Sequence, residues 1–388
     1  MASKRGTSTG PARTMVEDEQ GRRPFMRGIM VHSLMSRGVD FEDAYAAATA
    51  IRDKLRGRPV VHRDEVARIV DELLGERLEE RPVALLRTID VVQGRERRPF
   101  SKGVLAQSLL AAALAPDEAF RIAQEIEATL LGRGFAEIER SALRTLVHET
   151  LAHTSERLAT RYDVWRDFQA SDKPMILLLA GAPGVGKTSL AQEVAYRLGI
   201  TGVTSTDAIR EVMRIMLSKE LAPAIHVSSY DAHTQVHGLE QSEDPVIEAY
   251  RNQAATVAIG AKAMIRRAIA ENTSLILEGV SILPGLIDPE EWRDSAHVIF
   301  LAVATLEEDA FEGRFAARGE HSGSRPAHRY LRNLDHILRI QEHILELSDH
   351  HELPIVDNDS FEASVLSVLR HVTETLRKQG GNDGPSVA

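Results

Sequence analysis

The sequence predicts an α/β protein in which two mainly helical repeats precede a domain with a doubly wound parallel sheet. Two observations predict this class. A segment that begins at Arg22 returns 75 positions later at Arg97, and from residue 173 onward short apolar runs alternate with helical segments. A third observation, a glycine-rich loop between an apolar run and a helix, indicates what the domain binds.

The composition bounds the number of domains and the kinds of partner. A length of 388 residues gives two or three domains at roughly 150 residues each, and the 43% hydrophobic content can supply their cores. The formal charge of -10 argues against a nucleic-acid partner and against an anionic membrane surface. Because cysteine is absent, disulfides, thiolate nucleophiles and cysteine-ligated zinc are excluded.

The two ends of the chain predict no targeting or membrane segment. Residues 1–20 lack an apolar run after their basic groups, and residues 379–388 are rich in glycine and polar groups. The longest apolar stretch, Met175 to Ala182, is far shorter than the roughly 20 residues that span a bilayer. We therefore expect a cytoplasmic protein with a disordered leader and a disordered tail, and without a membrane partner.

The repeat covers residues 21–80 and residues 83–153. Each copy contains an Arg-Pro-Phe triplet and is typical of three short amphipathic helices, which in the second copy are predicted at Lys102 to Ala113, Pro116 to Leu131 and Glu139 to Leu151. A β-favouring run, Val83 to Val92, precedes the second copy, whereas the first has only Met15-Val16 and an acidic stretch there. The first copy is therefore predicted to be degenerate.

The remaining chain consists of a connecting segment and a larger domain. Residues 154–172 carry aromatic side chains on one helical stripe, which favours a packing helix. Residues 173–378 alternate predicted strands and helices, which indicates parallel βαβ units. The predicted strands are Met175 to Ala180, Val203 to Ser205, Leu275 to Glu278, His297 to Val303 and Leu353 to Val356. The predicted helices are Lys187 to Leu198, Asp207 to Leu217, Pro245 to Glu271, Ala327 to Leu347 and a last helix from Ser360 to about Lys378.

A phosphate-binding loop follows the first of these strands. The string GAPGVGKT satisfies the pattern G-x-x-x-x-G-K-[ST] between a predicted strand and a predicted helix. Glycines let backbone amides converge on phosphate oxygens, and the helix start adds partial positive charge. Lys187 is expected to neutralise the β and γ phosphates of ATP, and Thr188 to hold Mg²⁺. The predicted nucleotide-binding residues are Gly181, Ala182, Pro183, Gly184, Val185, Gly186, Lys187, Thr188 and Ser189.

Two further strand ends carry candidate residues. Asp207, Arg210 and Arg214 follow the second strand on one helix face, where a carboxylate can orient an acceptor hydroxyl and arginines can hold its anionic group. The alternative is that Asp207 is an N-cap and the arginines form a solvated face. Glu278 ends another strand, where a carboxylate can bind Mg²⁺ or the acceptor.

Two loops complete the predicted site. Ser228, Ser229 and Tyr230 offer hydroxyl groups to an oxyanion. The stretch from residue 311 to residue 333 contains five arginines around a Gly- and Ser-containing loop, which is typical of a mobile clamp on a transferring phosphoryl group. Because the chain has 39 arginines and only 8 lysines, a single arginine is a weak signal. The arginines in question are Arg314, Arg318, Arg325, Arg329 and Arg332.

Together these residues resemble the 2-phosphoglycerate kinase family. The resemblance rests on the segment from Lys173 to Arg214, the Ser-Ser-Tyr triplet, the LEGV string and the helix sequence RYLRNLDHILRIQEHIL, and it begins near Arg97. RPFSKGVLAQSLL and the helices after it resemble the ATP-cone, a small regulatory nucleotide-binding module.

The resemblance implies a P-loop kinase with ATP-cone-like repeats, phosphorylating 2-phosphoglycerate to 2,3-bisphosphoglycerate with ATP and Mg²⁺. Lys187, Asp207 and Arg318 are the predicted catalytic residues, and Thr188 and Glu278 are the predicted metal ligands. The predicted substrate-binding residues are Asp207, Arg210, Arg214, Ser228, Ser229, Tyr230, Glu278, Arg325 and Arg329. Two alternatives stay open: a kinase for another anionic metabolite, and a regulator that binds ATP without transferring its phosphate. A homo-oligomer is also left open.

Overall fold

A computed structural model describes residues 14–18, 21–35, 39–74, 89–306 and 327–380. The chain forms two compact units, Met1–Thr88 and Ile89–Ala388. Within the described residues, none of the helices is both long enough and apolar enough to cross a membrane.

The first unit contains the first repeat. Its three strands form one sheet in which β1 lies in the middle, antiparallel to β2 and parallel to β3. The helices pack an apolar core that includes Leu34, Ile51 and Leu55 against this sheet. The elements are β1 (Met15–Asp18), β2 (Gly21–Pro24), α1 (Arg27–Met35), α2 (Phe41–Lys54), β3 (Val60–His62) and α3 (Arg63–Leu74).

The second repeat has the same topology. Its strand order matches that of the first repeat, with β4 in the middle, antiparallel to β5 and parallel to β6. The hairpin registers also agree, because Met15 pairs with Pro24 and Asp90 with Pro99, each 75 positions further on. The elements are β4 (Asp90–Gln93), β5 (Glu96–Pro99), α4 (Lys102–Ala111), α5 (Pro116–Gly132), β6 (Glu137–Glu139) and α6 (Arg140–Thr154).

The structure corrects the prediction that the first repeat lacks its leading strand. Residues 15–18, assigned to the disordered leader of residues 1–20, form the central strand β1. The acidic stretch is compatible with a strand because Glu17 forms a cross-strand ion pair with Arg22 at 2.8 Å. The hairpin partners β2 and β5 and the third strands β3 and β6 were missed, since they are only three or four residues long. Residues 83–88 of the predicted strand lie outside the described residues.

Helix α7 (Glu156–Gln169) belongs to two cores at once. Tyr162 is buried in the core of the second repeat, and Trp165 is buried in the core of the following domain. The ring of Phe168 contacts His297, with ring centroids 5.6 Å apart. The predicted connecting helix is therefore a packing element, which joins the second repeat to the domain that follows.

The larger domain contains five parallel strands in the order β11-β10-β7-β9-β8. Its strands are β7 (Met175–Ala180), β8 (Gly202–Ser205), β9 (Leu275–Gly279), β10 (His297–Ala304) and β11 (Ile355–Asp357). Its helices are α8 (Lys187–Leu198), α9 (Thr206–Met216), α10 (Pro245–Ala270), α11 (Ala327–Arg332), α12 (Leu334–His350) and α13 (Phe361–Gly380). Three short 3₁₀ helices, Pro223–His226, Ser229–Thr234 and Pro289–Trp292, lie in the connections.

The predicted doubly wound sheet is confirmed. Every residue of β7 and β9 is buried, because helices cover both faces of the sheet. The strands and helices lie within a few residues of their predicted positions, with two differences. The predicted helix from Ala327 to Leu347 is two helices that meet at Asn333. The last helix extends to Gly380, into the predicted tail, and residues 381–388 lie outside the described residues.

Candidate active site

The glycine-rich loop connects β7 to α8 in a conformation that its glycines make accessible. Gly184 and Gly186 have φ angles of 95° and 85°, which side chains other than glycine rarely adopt. A Cβ atom on Gly181 would overlap the carbonyl oxygen of Val303 on the neighbouring strand. Ala182 and Val185 are fully buried and pack in the core of the domain, which attaches the loop to it. The loop can therefore wrap around a phosphate group at the start of α8.

Two side chains hold the loop in place. Lys187 is 7% exposed, and its Nζ donates a hydrogen bond to the carbonyl oxygen of Ala182 at 2.7 Å. Asn358, which follows β11, donates from Nδ2 to the carbonyl oxygen of Val185 at 2.7 Å and is itself buried. The ammonium group of Lys187 is thus fixed across the loop, where it can neutralise phosphate charge.

Thr188 and Glu278 form the candidate magnesium site. The Thr188 hydroxyl donates to Oε1 of Glu278 at 2.8 Å, and Glu278 is 4% exposed. Glu278 lies beside Leu179 of β7 and Ser205 of β8 in the strand registers, at the carboxyl edge of the sheet. A hydroxyl and a carboxylate are the oxygen ligands that Mg²⁺ takes beside nucleotide phosphates. The donor set fits this ion.

A cleft of about 570 Å³ opens next to the loop and brings most of the predicted residues together. Its walls come from the loop, from the carboxyl ends of β8 and β9, from α9 and from the segment of residues 226–230. The predicted residues that line it are Pro183, Gly184, Gly186, Lys187, Thr188, Asp207, Arg210, Arg214, Ser228, Ser229, Tyr230 and Glu278. Of the other loop residues, Gly181, Ala182 and Val185 are buried and Ser189 is exposed outside the cleft.

Helix α9 presents its charged side chains to this cleft. Ser205 caps the helix, since its Oγ accepts a hydrogen bond from the amide of Ala208 at 3.1 Å, and Asp207 is therefore not the N-cap. The side chain of Asp207 is 53% exposed and pairs with Arg210 at 3.2 Å. Arg210 also donates to the carbonyl oxygen of Val227. The alternative of a purely solvated arginine face is wrong for Arg210, whose side chain is 13% exposed.

Arg214 differs from Arg210 in its partners. One end of its guanidinium pairs with Glu211 at 2.6 Å. Its Nε is buried, and the described residues offer it no hydrogen-bond partner. A buried, unsatisfied donor costs free energy unless a partner binds it, which makes Arg214 the better candidate for an anionic group of the acceptor.

Another wall of the cleft is formed by residues 226–230, where the 3₁₀ helices Pro223–His226 and Ser229–Thr234 meet on either side of Val227. Ser229 is 5% exposed and Tyr230 is 3% exposed, so the chain is packed tightly here. The ring of Tyr230 contacts that of Tyr330 from α11, with centroids 6.0 Å apart. His336 of α12 lies 3.2 Å from the carbonyl oxygen of Tyr230 through its Nδ1. The hydroxyl-bearing triplet is held from two helices that come much later in the sequence.

The described residues include only part of the predicted arginine clamp. Arg314, Arg318 and Arg325 lie outside the described residues. Arg329 lies on α11, whose described side chains begin with Tyr330. Tyr330 itself lines the cleft and was missed in the sequence. So were Asn358 and Ser205, because nothing in their local sequence shows which loop or helix end they contact.

A second cleft, of about 310 Å³, lies in the second repeat. Its apolar wall contains Phe100 and Tyr162. Four arginines also line it: Arg98, Arg140, Arg144 and Arg166. Burial lowers the pKa of Arg166, and the neighbouring charges of Arg140 and Arg144 lower it further. Glu96 also lines the cleft and pairs with Arg98, and Arg144 pairs with Asp163 and Asp167, whereas Arg140 and Arg166 hydrogen-bond to the neutral side chains of Gln93 and Gln169. Arg140 and Arg166 beside an apolar wall therefore indicate a site for an anionic ligand with an aromatic or apolar part.

The described fold and site define a P-loop kinase, which is an ATP-dependent phosphotransferase. A family model described as the ATP cone domain matches residues 93–171, which include most of the second repeat and helix α7.

Curated relatives identify the family. The chain is 38% identical over 297 residues to a 2-phosphoglycerate kinase from Methanopyrus kandleri, a match that covers 74% of this chain and 90% of that protein. It is 37% identical over 288 residues to a 2-phosphoglycerate kinase from Methanothermobacter thermautotrophicus, with 74% and 94% covered. The chain belongs to the 2-phosphoglycerate kinase family. Among solved structures, shikimate kinase from Bacteroides thetaiotaomicron matches at a TM-score of 0.27 and 17% identity, covering 50% of this chain and 96% of that one, a likeness that carries no argument.

Proposed function

We propose that this protein transfers the γ-phosphoryl group of ATP to the hydroxyl of 2-phosphoglycerate, giving 2,3-bisphosphoglycerate, with Mg²⁺ as the metal. The observation that carries the proposal is the cleft of about 570 Å³, whose lining includes both the phosphate-binding loop and the side chains of Asp207, Arg210 and Arg214. The relatives named above are 2-phosphoglycerate kinases, which supports this acceptor.

On the donor side, the chain supplies charge and orientation. The loop amides and Lys187 would bind the β and γ phosphates, and Thr188 with Glu278 would hold Mg²⁺. The bound ion offsets the negative charge of the phosphate oxygens. Because phosphoryl transfer requires little covalent chemistry from the protein, positioning and charge neutralisation supply most of the rate.

On the acceptor side, a dianionic phosphate and a carboxylate need cationic and hydroxyl partners. Arg214, with its unsatisfied Nε, would bind one of these anionic groups, and the hydroxyls of Ser228 and Ser229 would complete the contact. Asp207 is exposed to the cleft and would accept or orient the proton of the reacting hydroxyl. Arg318, Arg325 and Arg329 stay sequence-based candidates for contacts to the transferring group.

The decisive experiment follows ATP and 2-phosphoglycerate by ³¹P NMR with the purified protein and Mg²⁺. We expect the signals of ADP and a bisphosphorylated product to grow together. Lys187→Ala should abolish this turnover, because the ammonium group that would neutralise phosphate charge is lost, and far-UV circular dichroism should show that the variant is folded. Lys262→Ala is the matched control, since Lys262 pairs with Glu291 away from the cleft, and it should retain wild-type turnover.

Each alternative predicts a different outcome of the same assay. ADP release only with another phosphorylated three-carbon acid would make the protein a kinase for a different acceptor. ATP binding without acceptor-dependent ADP release would favour a nucleotide-sensing regulator. Retained phosphoryl transfer in Lys187→Ala would overturn the proposed mechanism.

We also propose that the second repeat binds a regulatory nucleotide in its arginine-lined cleft. The match to the ATP cone domain and the convergence of four arginines beside Phe100 and Tyr162 support this. A cytoplasmic location, which the sequence predicts, is consistent with an enzyme that consumes ATP. A measurement of the molecular mass in solution would show whether the protein forms a homo-oligomer.

A further inference from the structure

A buried glutamine lies behind the acceptor wall of the cleft. Gln253, in the middle of α10, is 1% exposed. Its Nε2 donates to the carbonyl oxygen of Ala224 at 2.6 Å and to that of Val227 at 3.1 Å. A fully buried amide in a helix interior is costly unless its hydrogen bonds are satisfied, so these two bonds fix its orientation.

The carbonyl groups of Ala224 and Val227 lie where the first 3₁₀ helix ends and the second is about to begin. Ala224 belongs to the first 3₁₀ helix, and Val227 is an extended residue between the two 3₁₀ helices, with φ -125° and ψ 172°. The carbonyl oxygen of Ala224 also accepts a long hydrogen bond from the backbone amide of Val227, at 3.5 Å, so Gln253 reinforces a weak turn at the end of this 3₁₀ helix. Ser228, Ser229 and Tyr230 follow immediately and line the cleft, so the position of Val227 sets the position of all three.

Val227 is also held from the other side. Its carbonyl oxygen accepts from Arg210 as well as from Gln253, so that α9 and α10 fix the same peptide group. Arg210 in turn pairs with Asp207. Gln253, Val227, Arg210 and Asp207 thus form a continuous chain of hydrogen bonds from the core to the acceptor face of the cleft.

We propose that Gln253 is a positioning residue for acceptor binding, which acts by fixing Val227 and with it both the Ser228–Tyr230 wall and the guanidinium of Arg210. The proposal rests on the proposed function of this cleft. Gln253 does not line the cleft, and the phosphate-binding loop has its own anchors in Lys187 and Asn358. Loss of the glutamine should therefore weaken acceptor binding and leave ATP binding intact.

The test compares Gln253→Met, which keeps the side-chain length but removes both donors, with Gln253→Asn, which retracts the amide by one methylene. We expect the KM for 2-phosphoglycerate to rise about tenfold in Gln253→Met and less in Gln253→Asn, with the KM for ATP within about twofold of wild type. Thr373→Val is the matched control, because it removes the buried hydrogen bond from the Thr373 hydroxyl to the carbonyl oxygen of Leu369 on α13, outside the cleft, and it should change neither KM.

A second measurement separates this proposal from the proposed function. Hydrogen–deuterium exchange needs no substrate, and Gln253→Met should speed exchange in residues 223–234 while residues 181–188 keep their wild-type rates. An unchanged acceptor KM together with unchanged exchange would overturn the role of Gln253, and so would a parallel rise in both KM values. Wild-type protein that is inactive on 2-phosphoglycerate, with the exchange pattern as expected, would overturn the substrate and leave the positioning role in place.

Discussion

The two repeats at the start of this chain share a strand order and a hairpin register but differ in what completes them. In the second repeat, α7 places Ala159 and Tyr162 in the repeat's core and Trp165 in the core of the kinase domain. Helix α4 contributes Ala111 to that same domain core, and Gln107 donates to the carbonyl oxygen of Tyr196 on α8. The described part of the first unit ends with α3 at Leu74, before any such helix.

The difference shows how one small topology can serve two structural roles. The first repeat folds around its own core and forms a separate compact unit, whereas the second is continuous with the kinase domain. Three helices line the arginine-rich cleft, α4, α6 and α7, and two of them, α4 and α7, also pack against the kinase domain. A ligand in that cleft would therefore contact α4, which also contacts α8, the helix that follows the phosphate-binding loop, and this is a physical route for coupling.

The largest effect is expected at two equivalent leucines in the cores of the repeats. Leu34 and Leu109 are 75 positions apart and are 1% and 0% exposed. Leu→Ala at either site should cost about 2–5 kcal/mol of its own repeat's stability. Both tryptophans, Trp165 and Trp292, belong to the second unit, so tryptophan fluorescence in a urea titration reports that unit.

We expect Leu109→Ala to lower the urea midpoint of the fluorescence transition and Leu34→Ala to leave it unchanged. Helical circular dichroism should reveal the loss in Leu34→Ala as a separate, earlier transition. If Leu34→Ala shifts the fluorescence midpoint as far as Leu109→Ala does, the two repeats are equally coupled to the kinase domain, and the comparison fails.

A smaller effect is expected at an equivalent pair of arginines. Arg140 and Arg63 each begin the last helix of their repeat, but Ala67 stands in α3 where Arg144 stands in α6. Arg140→Ala should weaken nucleotide binding to the second repeat about tenfold, because a charge-assisted hydrogen bond is lost, and Arg63→Ala should change nothing. Isothermal titration with ATP measures this, with turnover at saturating substrate unchanged in both variants. Equal losses in the two variants would place nucleotide in both repeats.

The smallest expected effect is the pH dependence of the stability of the second unit. Burial lowers the pKa of His233, His343 and His371 below the ordinary value of 6.5, and the neighbouring charges of His336, Arg251 and Lys378 respectively add to the effect. The folded state therefore binds these protons less readily than the unfolded state, so stability falls as the pH drops below about 6.5 and is flat above it.

The tryptophan-detected urea midpoint should accordingly decrease between pH 7.5 and pH 5.5. The double variant His343→Gln/His371→Gln removes two of the three histidines, and neither of the two lines the cleft. Its urea midpoint should decrease less over the same pH range. A midpoint that rises on acidification, or an equally steep decrease in the double variant, would contradict the assignment to these histidines.

Sequence reasoning predicted the elements whose signal is local. The loop from Gly181 to Thr188 lies between a strand and a helix as its spacing requires, and Asp207 and Glu278 lie beside it because carboxyl ends of parallel strands meet at one edge. The short strands β1, β2, β3, β5 and β6 of the repeats were missed, since three or four residues are too few to show a clear periodicity. Arg318 and Arg325 lie outside the described residues and stay predictions.

By itself the sequence determined the repeat, the parallel sheet and the phosphate-binding loop, because periodicity and glycine spacing act over a few residues. Other features depend on tertiary contacts: α7 belongs to two cores, and Asn358 donates a hydrogen bond to the phosphate-binding loop. Arg210 and Gln253 both donate to the carbonyl oxygen of Val227 in the acceptor wall. Each of these is a hydrogen bond or a packing contact between residues distant in the chain. Such contacts depend on how the helices pack on the sheet, which no local pattern records.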